Sequence, residues 1–183
     1  LTGFFPEFTP GSDWHLDRRI NVCETCEVAD MIGLALKLTF AGVGNYWEDA
    51  DRWIRNQLVE NQLTPDKLQT LLYNIDKKKQ FEEKPVQPWE HVDVTRGIGG
   101  FAGYAFANDW GTFLSHACCT PNAGRTLYWI WDSIVTRNDD AIQVNLHLNH
   151  ASSLLDINSH LPFEGRVDLK IKQAGNLLVR IPE

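Results

Sequence analysis

Four cysteines, Cys23, Cys26, Cys118 and Cys119, fall as two close pairs far apart in the chain, and this grouping constrains the fold more than any other feature. A disulfide framework usually spreads its cysteines through a short secreted chain, whereas close pairs that folding must bring together are typical of thiolate metal sites. Two other readings stand beside a metal: one or two disulfides, or buried thiols that only fill space. The fourth ligand of a metal would depend on local conformation. With residues 23 to 26 already helical, Cys23 and Cys26 share a face at i,i+3 and a closed four-cysteine site results. With the chain extended up to Cys26, the period of two points Glu24 and Cys26 the same way and sends Cys23 aside. That mixed carboxylate and thiolate set is one that can do chemistry. Pattern alone leaves both open.

Around these pairs the hydrophobic period changes along the chain. Val28, Met31, Ile32, Ala35 and Leu38 fall at helical spacing from about Glu27 to Ala41, with Gly42 as the stop. Trp47, Ala50, Ile54 and Leu58 form the stripe of a second helix from Tyr46 to about Gln62. Thr64-Pro65 opens a short third helix through Tyr73, and a fourth runs from about Pro121 to Thr136 with Leu127, Ile130, Trp131 and Ile134 inward. The Gly97 to Gly103 run lacks the strand before it and the Lys-Ser/Thr after it that a phosphate loop needs, so it reads as a shaped loop with close backbone packing. After Asn138-Asp139-Asp140, Ile142, Val144, Leu146 and Leu148 alternate, as do Val167, Leu169 and Ile171, then Leu177, Val179 and Ile181, with Ala174-Gly175-Asn176 as a turn. Helices first and strands afterwards predict an α+β arrangement, mainly α.

A chain of 183 residues, 43% hydrophobic, can bury one good core, and its formal charge of -7 with interspersed signs argues against a nucleic-acid partner. No apolar run reaches the length of a membrane span. Localisation stays open, with the paired thiols favouring the cytoplasm. The absence of an initiator Met before Leu1, and a strand-like run ending at Glu183, suggest a segment of a longer protein.

Glu24-Thr25-Cys26 before an apolar helix, Tyr46 to Asn56 in the next, and Cys118-Cys119-Thr120-Pro121-Asn122-Ala123-Gly124-Arg125 resemble glycoside hydrolase family 127 and its relatives, the β-L-arabinofuranosidases. Val144-Asn145-Leu146-His147-Leu148 and Leu178-Val179-Arg180-Ile181-Pro182 resemble that family's passage from an (α/α)6 barrel into a β-sandwich. The resemblance implies a helical barrel segment over 1–138, carrying the metal site, and the first strands of a sandwich over 139–183. It implies zinc held by Glu24, Cys26, Cys118 and Cys119, with Cys118 as nucleophile and Glu24 as acid/base of a retaining glycoside hydrolase acting on an arabinofuranoside-like carbohydrate. A barrel lacking half its wall leaves the sugar pocket open to water, so weak or absent turnover is expected of this segment alone. The alternative is a non-catalytic zinc-stabilised or carbohydrate-binding module with a structural cysteine site.

Relatives hold the sugar with a carboxylate upstream of the Glu-x-Cys motif, for which Glu7 is the nearest candidate, set against an exposed loop acid. Trp110 and Trp89 would stack on a sugar face or simply pack. Asn122 and Arg125 would brace the metal loop or touch substrate. Asp51 reads as a structural acid. Of the histidines, only His116 is placed to reach the site.

Overall fold

A computed structural model of the chain describes residues 22–70, 94–106 and 118–182. The chain divides into two compact units, one made of Leu1–Met31 with Arg52–Gly124 and the other of Ile32–Asp51 with Arg125–Glu183. Helices α1 (Thr25–Phe40), α2 (Trp47–Trp53) and α4 (Cys119–Ile134) each begin in one unit and end in the other. No helix among the described residues is long and apolar enough to cross a membrane.

In the first unit, β1 (Val22–Glu24) pairs antiparallel with β2 (Tyr104–Phe106), setting Cys23 opposite Ala105 and Glu24 opposite Tyr104. Helix α1 starts at once after β1, so the chain changes from period two to period 3.6 between Glu24 and Thr25. Helix α2 widens into a π turn over Ile54–Leu58, where Val59 N–H donates to Ile54 O at 3.2 Å. Residues 65–70 open α3, and Val94–Gly97 form a 3-10 turn. Leu71, Leu72 and Tyr73, expected at the end of α3, lie outside the described residues. The glycine-rich run does pack its backbone closely. Leu63 N–H donates to Gly100 O at 2.8 Å and Gly99 N–H donates back to Leu63 O at 2.9 Å, a clasp for which Gly99 adopts φ 86°. Beneath it, Leu63, Leu68 and Ala102 are buried together.

In the second unit, α1 ends as the sequence predicts. Gly42 takes φ 71°, its N–H donates to Thr39 O and Val43 N–H to Leu38 O, each at 3.0 Å, which together close a Schellman cap. The absence of a side chain at Gly33 lets the Trp129 indole sit against α1, its Cε3 2.8 Å from where a Cβ would be. Strands β3 (Val135–Asn138) and β4 (Ala141–Val144) form a hairpin whose two-residue turn holds Asp139 at φ 48°. Strand β8 (Asn176–Val179) adds to β4 in parallel. A second three-stranded sheet joins β5 (His150–Ala151), β6 (Leu155–Ser159) and β7 (Val167–Ile171). Its centre is β6, which the alternation of Leu155 and Ile157, both buried, would have revealed. The turn at Ala174-Gly175-Asn176 therefore connects strands of different sheets.

The expected barrel segment and sandwich are not what forms. Among the described residues there are four helices and two small three-stranded sheets, and no (α/α)6 barrel is evident. Such a ring closes on six helix pairs, whereas the described residues supply four helices before the chain turns to strands at Val135. The inward face of α4 also differs from its predicted stripe. Ile130 and Ile134 are buried as expected, but Leu127 and Trp131 are exposed, and Cys119, Ala123, Thr126 and Ser133 are buried in their place. The small and hydroxyl side chains on that face allow close approach, and packing overrides the larger apolar stripe.

One histidine of this unit makes stability pH-dependent. His150 stacks on Trp131 with ring centroids 5.4 Å apart, and its Nδ1 is buried without a hydrogen-bond partner among the described residues. Burial pushes its imidazole below the ordinary range, against the opposing pull of Asp156. An unfolded chain binds this proton more readily than the folded one, so stability falls as pH drops from the usual imidazole value of about 6.5 towards the depressed folded one. Replacing His150 by Gln is expected to flatten the dependence of Tm on pH over about pH 7 to 5 relative to the parent. An unchanged slope would assign the effect to other groups.

Candidate metal centre

The centre is built where the strand-to-helix switch of the first unit meets the start of α4. Glu24 ends β1, Cys26 lies in the first turn of α1, Cys118 sits in the turn just before α4, and Cys119 opens that helix. One ligand atom from each of Glu24, Cys26, Cys118 and Cys119 lies within 4.8 Å of every other. The chain is extended through Glu24, and Cys23 is turned away. It is fully buried, directs its Sγ toward Glu24 O at 3.8 Å, and is not a member of the group. The helix begins at Thr25, between the two conformations the sequence left open, and the group that gathers is the mixed carboxylate and thiolate one.

Distances within the group fit a bound cation. Cys26 Sγ and Cys119 Sγ are 3.3 Å apart, Cys119 Sγ and Cys118 Sγ 3.6 Å, and Cys119 Sγ lies 3.8 Å from Glu24 Oε1. A tetrahedral metal with sulfur at about 2.3 Å and oxygen at about 2.0–2.2 Å sets its ligand atoms roughly 3.5–3.8 Å apart. None of the four cysteines is in a disulfide. The group can therefore hold a metal ion with little rearrangement.

Electrostatics point the same way. Burial pushes the Cys119 thiol well above its ordinary value, reinforced by its contacts with Cys26 and Cys118. The Cys26 thiol is also raised, first by burial and further by the negative charge of Glu24, while a hydrogen bond with the Asn122 side chain pulls it back. Three sulfurs and a carboxylate so close together repel one another when ionised, and only a cation among them makes the ionised set favourable. Exposure is graded across the set. Cys119 is buried, Glu24 and Cys26 are half-buried, and Cys118 is exposed.

The remaining candidates divide. Asn122 meets the site through Cys26, which makes it a bracing residue. Arg125 lies over the Trp129 ring at 4.6 Å. Asp51 is buried and accepts a hydrogen bond from Arg180 at 2.9 Å, as befits a structural acid. Glu7, Trp89, Trp110 and His116 lie outside the described residues. The sequence reading missed Thr120, whose hydroxyl accepts from Phe101 N–H at 3.0 Å, and Thr25, whose hydroxyl donates to Ala102 O at 2.6 Å. Their one signal was position: each stands beside a ligand, in Glu24-Thr25-Cys26 and Cys118-Cys119-Thr120. Compared with known proteins, the chain matches no family model, no curated protein and no solved structure.

Proposed function

We propose that this chain carries the zinc-thiolate centre of a retaining glycoside hydrolase of β-L-arabinofuranosidase type, with Cys118 as nucleophile and Glu24 as acid/base. The observation that carries the reading is the graded convergence of Glu24, Cys26, Cys118 and Cys119, in which the sulfur open to a substrate is Cys118. Zinc suits three sulfurs and a carboxylate, and when bound it keeps thiols ionised at neutral pH. Cys26 and Cys119 serve as anchors, and Asn122 steadies Cys26.

The Cys118 thiolate attacks the anomeric carbon, forming a C–S bond as the glycosidic C–O bond breaks, and the Glu24 carboxyl protonates the departing oxygen. Water then displaces the sulfur from the same carbon, giving its proton to the Glu24 carboxylate. Two inversions leave the configuration unchanged. Glu24 Oε1 faces Cys119 at 3.8 Å, so on this reading the other oxygen carries the proton.

Mass spectrometry of the zinc-loaded chain, quenched after mixing with an activated aryl arabinofuranoside, tests this without requiring fast turnover. One glycosyl adduct on Cys118 is expected, absent from Cys118→Ala. Zinc-loaded protein that accumulates no adduct and releases no aryl alcohol overturns the reading. A rival is favoured by one feature: four protein ligands fill a tetrahedral shell, as in structural sites. On that rival, zinc stabilises the fold and no adduct forms.

A further inference from the structure

A second set of buried side chains stands behind the metal centre, outside its ligand group. Thr25, Gln57 and Asn61 are each almost wholly buried. Gln57 Nε2 donates to Asn61 Oδ1 at 2.8 Å, Asn61 Nδ2 donates to Thr25 Oγ1 at 2.8 Å, and Thr25 Oγ1 donates to Ala102 O at 2.6 Å. The three bonds run in one direction, because each group that accepts also donates onward. Such a chain is mutually polarising and fixes the rotamer of every member. Main-chain bonds lock its two ends: Thr25 N–H donates to Gly103 O at 3.1 Å, and Ala102 N–H to Asn61 O at 2.9 Å.

Segment 101–103 is the common rail. On one side it receives Thr25, the residue between Glu24 and Cys26. On the other it receives Thr120, whose hydroxyl bonds Phe101 N–H at 3.0 Å and Phe101 O at 3.3 Å, and Cys119, whose Sγ lies 3.7 Å from Gly103 O. The two halves of the cluster, distant in sequence, are registered against the same three peptide units. Gln57, at the far end, lies in the π turn Ile54–Leu58, a helical irregularity of the kind often found at functional sites.

We propose that Gln57, Asn61 and Thr25 form a positioning relay that sets the Glu24–Cys26 arm at the right separation from Cys118–Cys119 to close on a metal. The inference rests on reading the four side chains as a metal centre, and it adds what tunes that centre. Thr25 is the residue through which it acts. Its hydrogen bonds to Ala102 and Asn61 hold the backbone from which the ligands on either side project.

Cobalt(II) titration followed by its absorption spectrum tests the relay apart from any catalysis. Thr25→Val keeps the shape and removes the hydroxyl, and is expected to weaken cobalt binding by about 10–100-fold. At saturation it should also shift the ligand-field and thiolate charge-transfer bands, which simple loss of stability would not do. Thr25→Ser should restore both. If Thr25→Val does not fold, Asn61→Leu, which removes the donor to Thr25 and the acceptor for Gln57 without adding charge, is expected to give the same changes. A folded variant that lacks this hydrogen bond and yet keeps wild-type affinity and spectrum overturns the relay. Failure of the wild-type chain to bind cobalt overturns the metal centre and the relay with it, which separates the two ideas.

Discussion

Replacing Cys119 by serine is expected to weaken zinc binding by roughly a hundred-fold or more, whereas the same change at Cys23 should leave affinity nearly unchanged. Cys119 is the hub of the site, within 3.3 to 3.8 Å of Cys26, Cys118 and Glu24. It is also fully buried, so a serine there supplies a hydroxyl that neither ionises nor reaches water. Four-ligand zinc sites bind with about 10–16 kcal/mol, and losing one ligand of four removes about 3 kcal/mol. Cys23 is buried as well, and its substitution costs stability without touching the ligand set. Competition with a chromophoric chelator measures both variants. Equal losses at positions 23 and 119 would show that the cluster has been assigned wrongly. The same titration carries a pH signature. Because the Cys26 and Cys119 thiols are raised, and a thiol must lose its proton to ligate, binding by the three cysteines must displace about three protons, and affinity rises with pH through the neutral range. A pH-independent affinity would exclude coordination by these thiols.

The site was more legible in the sequence than the fold around it. Two close cysteine pairs announce a shared centre whatever scaffold brings them together, because few other arrangements bury reactive thiols in neighbouring positions. The choice between Cys23 and Glu24 was not legible. It turns on whether one residue, Thr25, begins a helix or ends a strand, and that is decided by pairing with Tyr104–Phe106 far along the chain. Gly42 marked its helix end because φ 71° asks for glycine, a local requirement. The inward face of α4 was misread because Leu127 and Trp131 are more apolar than Thr126 and Ser133, and apolar stripes describe only what could be buried. The barrel was expected from resemblance alone, and short motifs around a metal cannot fix the number of helices that surround it. Gln57 and Asn61 left only a faint trace, polar residues one helical turn apart in a sequence where exposed polar residues look the same.

Arg180→Met is expected to destabilise the second unit by about 3–5 kcal/mol. The guanidinium donates through Nη1 to Glu48 at 2.8 Å, through Nη2 to Asp51 at 2.9 Å, and through Nε to Asn145 O at 2.6 Å. Its side chain is 12% exposed, and those of Glu48 and Asp51 are 28% and 11% exposed. A surface ion pair would contribute little, but here the fork of one arginine joins the start of α2 to the residue that follows β8 while neutralising two carboxylates on the same helix face. Methionine fills similar space and leaves Glu48 and Asp51 repelling each other without that cation. Arg180 N–H also donates to Val144 O at 2.9 Å, a main-chain bond that the substitution keeps, so the loss reports the side chain alone. If the cost comes from the repulsion of the two carboxylates, adding Glu48→Gln and Asp51→Asn to Arg180→Met should recover a large part of it, since neutral isosteres remove that repulsion. Denaturant midpoints of the single and triple variants measure both quantities. A single-variant loss below about 1 kcal/mol, the value typical of exposed pairs, would show that water screens this cluster and that β8 is held by its pairing with β4 alone.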